Sequence, residues 1–89
     1  MNAAPVMPLR SPLPAAEPSK ADMIDGLRKG LEVICAFDDN TPRLTQSELA
    51  HRLDLSRAAA RRYLMTLTAL GYMATDGKSY WLTPKVMRL

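Results

Sequence analysis

Arg57, Arg61 and Arg62 lie within one short run, Ser56-Arg-Ala-Ala-Ala-Arg-Arg-Tyr-Leu. A guanidinium is a planar, permanently charged fork. It holds carboxylates, phosphates and the O6/N7 edge of guanine through paired hydrogen bonds. At about 100° per residue, Ala60, Tyr63, Leu64, Leu67 and Leu70 share one arc of a helix. Ala58, Arg61, Arg62, Met65 and Ala69 share the opposite arc. A solvated helix usually carries acids at i,i+4 as ion-pair partners. Residues 56–70 contain none. The small Ala58 lets the arginine-bearing arc approach a surface closely. The roughly 12 Å major groove of double-stranded DNA offers both phosphates and base edges to such an arc. Arg57, in the first turn, is placed like the N-terminal residues of a recognition helix.

Four further side chains stand at helix starts. Thr45, Gln46 and Ser47 open one helix and Ser56 opens the next. Backbone N–H groups and the helix dipole at such positions favour phosphate. Lys78 sits at a turn, where it reads either as an exposed turn lysine or as a contact to phosphate or the minor groove. Other reactive types are isolated. His51 lies off any apolar stripe and reads as exposed. Cys35 lies near one and is expected to be buried. Strand alternation separates Trp81 from Tyr80 and Leu82. Asp38 and Asp39 form an acidic pair without a histidine, so they read as a solvated loop. No serine, cysteine or lysine stands in a nucleophile's setting, so no enzyme, cofactor or metal site is expected.

The elements that must position these residues are legible from their ends. Ile24, Leu27, Leu31 and Ile34 recur at three- and four-residue spacing, which predicts a first helix over 21–37 with that stripe buried. Gly26 and Gly30 weaken it by roughly 1 kcal/mol each, which suggests a closely approaching neighbour. Asp38-Asp39-Asn40-Thr41-Pro42 ends it. Thr45-Gln46-Ser47-Glu48 is a capping box for a second, short helix ending at Asp54. Leu55 plugs inward and Ser56 caps the third helix. Gly71 stops that helix. Residues 72–83, with Asp76-Gly77 at the turn, read as a β-hairpin. Pro84 suits the first position of a further helix. The fold class is mainly α with a small β-hairpin: a winged helix-turn-helix, with three helices, a wing over 21–83, and the start of a linker helix at 84–89.

Composition sets the outer bounds. Eighty-nine residues allow one small domain and exclude a large enzyme with a deep cleft. One Cys excludes an intrachain disulfide, and one His with it excludes a zinc site built on Cys and His. No apolar run approaches the roughly 18 residues of a membrane span. Five of the seven prolines fall in residues 1–20, which read as a disordered arm rather than a signal peptide. The formal charge of +3 is uneven: +1 over residues 1–20, −3 over 21–55 and +5 over 56–89. A basic last third is the footprint of a nucleic-acid partner. The competing reading is a winged helix that binds protein, with the first helix and hairpin as contact surfaces.

The runs GLRKGLEVICAFDD, LTQSELAHRLDLSRAAARRYLMTLTALGYM and DGKSYWLTPKVMRL resemble the N-terminal DNA-binding domain of the IclR family of bacterial transcriptional regulators, over about residues 23–89. SRAAARR-L-TL-LGY and the LTP-V-L ending look closest to the branch that regulates aromatic-acid catabolism. Asp54 departs from the family's frequent glycine. The resemblance implies a cytoplasmic, nucleoid-associated protein that binds a double-stranded operator as a homodimer, or a tetramer in longer chains. It implies an aromatic-acid effector bound only by a C-terminal domain absent from these residues, with the linker helix leading to it.

Overall fold

The computed structural model describes Ser19, Ala21 and residues 23–89. The expected N-terminal arm lies outside the described residues, Ser19 apart. Helix α1 spans Asp25–Cys35, strand β1 Leu44–Thr45, α2 Gln46–Leu53 and α3 Arg57–Ala69. Strands β2, Met73–Thr75, and β3, Ser79–Leu82, follow. A 3-10 helix covers Pro84–Arg88, with the proline at its start.

Local chemistry explains the central boundaries. The Glu48 N–H donates to Thr45 Oγ1 at 3.2 Å, and the Thr45 N–H donates to Glu48 Oε1 at 2.8 Å. Two orphan donors at the start of α2 are thereby satisfied. Asp54 ends α2 in the left-handed region, at φ 55°, and the Leu55 N–H reaches Ala50 O at 2.8 Å. Aspartate tolerates that conformation better than most residues. The Ala59 N–H donates to Ser56 Oγ at 3.0 Å, which caps α3. Gly71 leaves α3 at φ 89°, and a Cβ there would lie 3.4 Å from Lys85 Cδ. The positive φ is what favours glycine there, since the lysine side chain is an ordinary contact.

The core sits where α1, α2 and α3 meet the sheet. Val33, Leu49 and Leu64 are fully buried, with Phe37, Leu44 and Met73 around them. Ala50 and Ala60 are buried too, small where the helices meet. The sheet has three strands in the order β1-β3-β2, both pairings antiparallel. Leu44 faces Tyr80, and Met73, Ala74 and Thr75 face Leu82, Trp81 and Tyr80.

Four expectations need correction. First, α1 is shorter than 21–37, and its stripe is not buried: Ile24, Leu27 and Leu31 are 67%, 59% and 51% exposed, and Ile34 is half-buried. Val33, Ala36 and Phe37 enter the core instead. Second, Cys35 is exposed, because it points away from Val33 and Ala36. Third, Leu70 is exposed, since α3 has already turned out of its packed stretch at its C-cap. Fourth, the hairpin is joined by β1, a strand of two residues that offers no period to read.

The two α1 glycines face Tyr63 of α3, but loosely. A Cβ on Gly30 would meet the Tyr63 ring at 3.8 Å, an ordinary contact. Close approach therefore does not require glycine there. Gly30→Ala is expected to stabilise the chain by roughly 0.5–1 kcal/mol through helix propensity. Thermal unfolding should show a rise of several degrees; a fall would mean that α1 and α3 pack more tightly than these distances.

Candidate nucleic-acid interface

Helix α3 presents Arg57, Ala58, Arg61 and Arg62 outward, and all four are exposed. No acid occupies its first turn. The side chains of Arg57, Arg61 and Arg62 make no hydrogen bond or ion pair among the described residues, and neither does that of Lys78. A side chain with no partner within its own fold keeps its rotamer freedom and is available to a partner outside it. Most other described cations are engaged: Arg28 with Asp25 and Glu32, Lys29 with Asp25, Arg43 with Asp76, and Arg52 with Thr41; Arg88, in the C-terminal 3-10 turn, is the exception.

The two neighbouring arginines line different grooves. Arg61 borders a groove of about 490 Å³ between α3 and the wing, shared with Gln46, Met65, Thr68, Thr75, Gly77 and Tyr80. Arg62 borders one of about 410 Å³ between α3 and α1, shared with Gly26, Lys29, Ala59, Tyr63 and Thr66. The arginine-bearing arc is thus flanked by a wall on each side. Thr68, Thr75 and Tyr80 on one side and Lys29 on the other are invisible to a helical projection, because they come from other elements or from the helix flanks.

The helix starts are not equivalent. Thr45 is half-buried, belongs to β1, and its N–H is taken by Glu48. The Glu48 carboxylate lies at the start of α2 and is held below its usual pKa by the Thr45 backbone N–H, then by its hydroxyl. An anion already sits there. Gln46 donates from Nε2 to Arg57 O at 3.3 Å and so braces α2 against the start of α3. Ser47 is exposed. Ser56 uses its oxygen as a cap acceptor, but the start of α3 carries no carboxylate, so it is the better seat for a phosphate.

The wing tip is built on Asp76. Its Oδ1 accepts from the Lys78 N–H at 2.9 Å and the Ser79 N–H at 2.8 Å, while Gly77 turns the chain at φ 93°. These bonds, Ser79's foremost, hold the Asp76 carboxyl below its ordinary value. A depressed carboxylate contributes stability above its unfolded pKa and loses it as pH falls through the folded value. The tip is therefore fully formed at neutral pH, with the Lys78 side chain exposed beside it.

At the other end of α3, Lys85 Nζ donates to Leu70 O at 2.7 Å and Thr83 Oγ1 to Gly71 O at 2.6 Å. A cation at a helix C-terminus complements its dipole. His51 is exposed, as expected, and no group of three or more His, Cys, Asp or Glu able to hold a metal occurs among the described residues. No helix among them is long and apolar enough to cross a membrane.

Two helices joined by a tight left-handed turn, an outward basic second helix and a short antiparallel wing define a winged helix-turn-helix DNA-binding domain. Residues 26–77 match the IclR helix-turn-helix domain, and the chain belongs to the IclR family. It is 45% identical over 80 residues to the p-hydroxybenzoate hydroxylase transcriptional activator of Acinetobacter baylyi, covering 90% of this chain and 30% of that protein. It is 46% identical over 68 residues to the Pca regulon regulatory protein of Pseudomonas putida, covering 76% and 23%. An IclR family transcriptional regulator from Brucella abortus superposes with a TM-score of 0.75 at 30% identity, over 78% of this chain and 27% of that one. The chain thus spans less than a third of the length of these relatives.

Proposed function

We propose that this chain reads a double-stranded operator sequence-specifically, as the DNA-binding part of a bacterial regulator of aromatic-compound catabolism. The observation that carries it is the set of unpartnered cations, Arg57, Arg61, Arg62 and Lys78, on a recognition helix and its wing. Ala58 and Arg62 enter the major groove. Arg57, Ser56 and the start of α3 hold phosphate. Arg61, Gln46 and Lys78 follow the backbone along the groove beside the wing, with Thr45 and Ser47 at its border. The assignment to aromatic catabolism rests on what the two named relatives regulate. The effector is a small aromatic acid, bound by a part of the longer protein outside these residues, and the protein acts in the cytoplasm. The 3-10 turn at Pro84–Arg88 begins the connection to that part.

The operator is bound by a homodimer, and longer chains of this kind can pair into tetramers. Ile24, Leu27 and Leu31 support this: three large apolar side chains in a row on one helix face are costly to leave in water. Between α1 and α3 this face forms an almost wholly apolar groove of about 230 Å³, lined by Leu27, Leu31, Ile34 and Leu67 among others.

Titrating the purified chain onto duplex DNA carrying its own promoter, across a salt series, tests the reading. Binding should weaken with salt, with a slope between about −2 and −4 per domain, as expected when several cations displace counterions. A salt-independent association, or none at 50 mM salt, would overturn it.

A further inference from the structure

Arg43 precedes β1, where no helical pattern points to it. Extending the β1–β3 register by one residue from Leu44↔Tyr80 sets Arg43 opposite Trp81, on the outer face of the sheet. There the guanidinium carbon lies 3.9 Å from the Trp81 ring centroid, well within cation–π range. The same guanidinium reaches Asp76 Oδ2 at 3.5 Å and Ser79 Oγ at 3.5 Å. Asp76 is the residue whose other oxygen closes the wing tip around Lys78. One side chain thus joins three things: the segment leading into α2, the ring at the middle of β3, and the carboxylate that shapes the tip. Both side chains of the ion pair are about half exposed, so the pair alone would be weak. The planar fork makes the difference, since it can stack on the ring and still direct an N–H at the carboxylate.

We infer that Arg43 is a positioning residue for the wing: stacked on Trp81 and paired with Asp76, it holds the tip, and with it Lys78, at a fixed distance from the recognition helix. The inference rests on the DNA-binding reading above. Only two residues of β1 pair with β3, so backbone hydrogen bonds alone hold that edge of the wing over a short span. Arg43 adds the third cross-strand position. Its charge is spent within the fold, which distinguishes it from Lys78 and from the arginines of α3.

Trp81 is the chain's one tryptophan, so its emission reports this contact directly. In the free protein, Arg43→Met should increase acrylamide quenching of Trp81, while Arg43→Lys should restore part of the shielding. On DNA, Lys78→Ala should lower the salt slope by about one unit if Lys78 holds a phosphate. Arg43→Met should lower it by a similar amount, and the double variant by no more than either alone. Additive losses of about two units would mean that Arg43 touches phosphate itself, and would overturn the inference. So would unchanged Trp81 quenching in Arg43→Met, or a Lys78→Ala slope equal to wild type. Failure of the wild-type chain to bind duplex defeats the DNA reading instead, and is recognised separately because quenching is read without DNA.

Discussion

Replacing Arg62 with alanine is expected to weaken binding to the cognate operator by about 5- to 150-fold and to relax base preference at one position, the effect of losing one bidentate base contact. Arg62 stands two residues from buried Ala60, about 200° around α3, and so points almost directly away from the core. Ala58 and Ala69 flank it on that outward line, and neither can obstruct its approach to a groove floor. Arg61 is only about 100° from Ala60 and leans toward the wing, where it shares a groove with Gln46 and Thr75. On the proposed reading, a phosphate backbone passes between the recognition helix and the wing. Arg61→Ala should therefore weaken binding nearly uniformly across sequences and reduce the salt slope by about one unit. Selection of preferred sites with each purified variant, at one fixed salt concentration, separates the two. Altered preference in Arg61→Ala and unaltered preference in Arg62→Ala would reverse the assignment.

The sequence disclosed those parts of the fold that end on particular chemistry. The Thr45/Glu48 capping box, the left-handed Asp54, the Ser56 cap, and Gly71 and Gly77 each place a boundary by a local rule. The structure realises each of them as a hydrogen bond or a positive φ. These boundaries also orient α3, so its arginine-bearing face is legible from the sequence. Periodicity was less informative about α1. It correctly finds Ile24, Leu27 and Leu31 on one face, but a period cannot say what covers a face. The core instead takes Val33 and Ala36, on nearly the opposite side of α1 from that stripe, and Phe37 just beyond the helix. Cys35, on the side of α1 away from Val33, is exposed for the same reason. Strand β1 was out of reach, since Leu44 and Thr45 are too few to alternate. With β1 unseen, Arg43 could not be set opposite Trp81, and the support of the wing was hidden. The helix starts show a different limit. Capping and phosphate binding both call on the first N–H groups of a helix, and at α2 the fold's own carboxylate takes them. At α3 no carboxylate competes.

The same chemical change at two leucines should have opposite consequences. Leu64 lies at the centre of the core with no exposed surface, while Leu31 is 51% exposed on α1. Truncating a buried leucine to alanine costs about 2–5 kcal/mol, through lost transfer energy and the cavity left behind. A folded unit of this size has a total stability of only about 3–10 kcal/mol. Leu64→Ala should thus lower the melting temperature by roughly 10–30 °C, at any protein concentration. In a monomer, Leu31→Ala should change it little, because the side chain already meets water. Where two copies cover the α1 face, part of the stability comes from association and depends on concentration. Leu31→Ala should then destabilise at high protein concentration but not at low, and sedimentation should show a weakened dimer. Thermal melts of both variants over a hundredfold range of concentration distinguish these cases. A Leu31→Ala loss as large as that of Leu64→Ala at every concentration would place Leu31 inside the monomer core. A Leu31→Ala melt that matches wild type throughout would instead leave the α1 face open to water and move the dimer contact elsewhere. The test needs no operator, so it decides whether two copies pair through α1 independently of what they read.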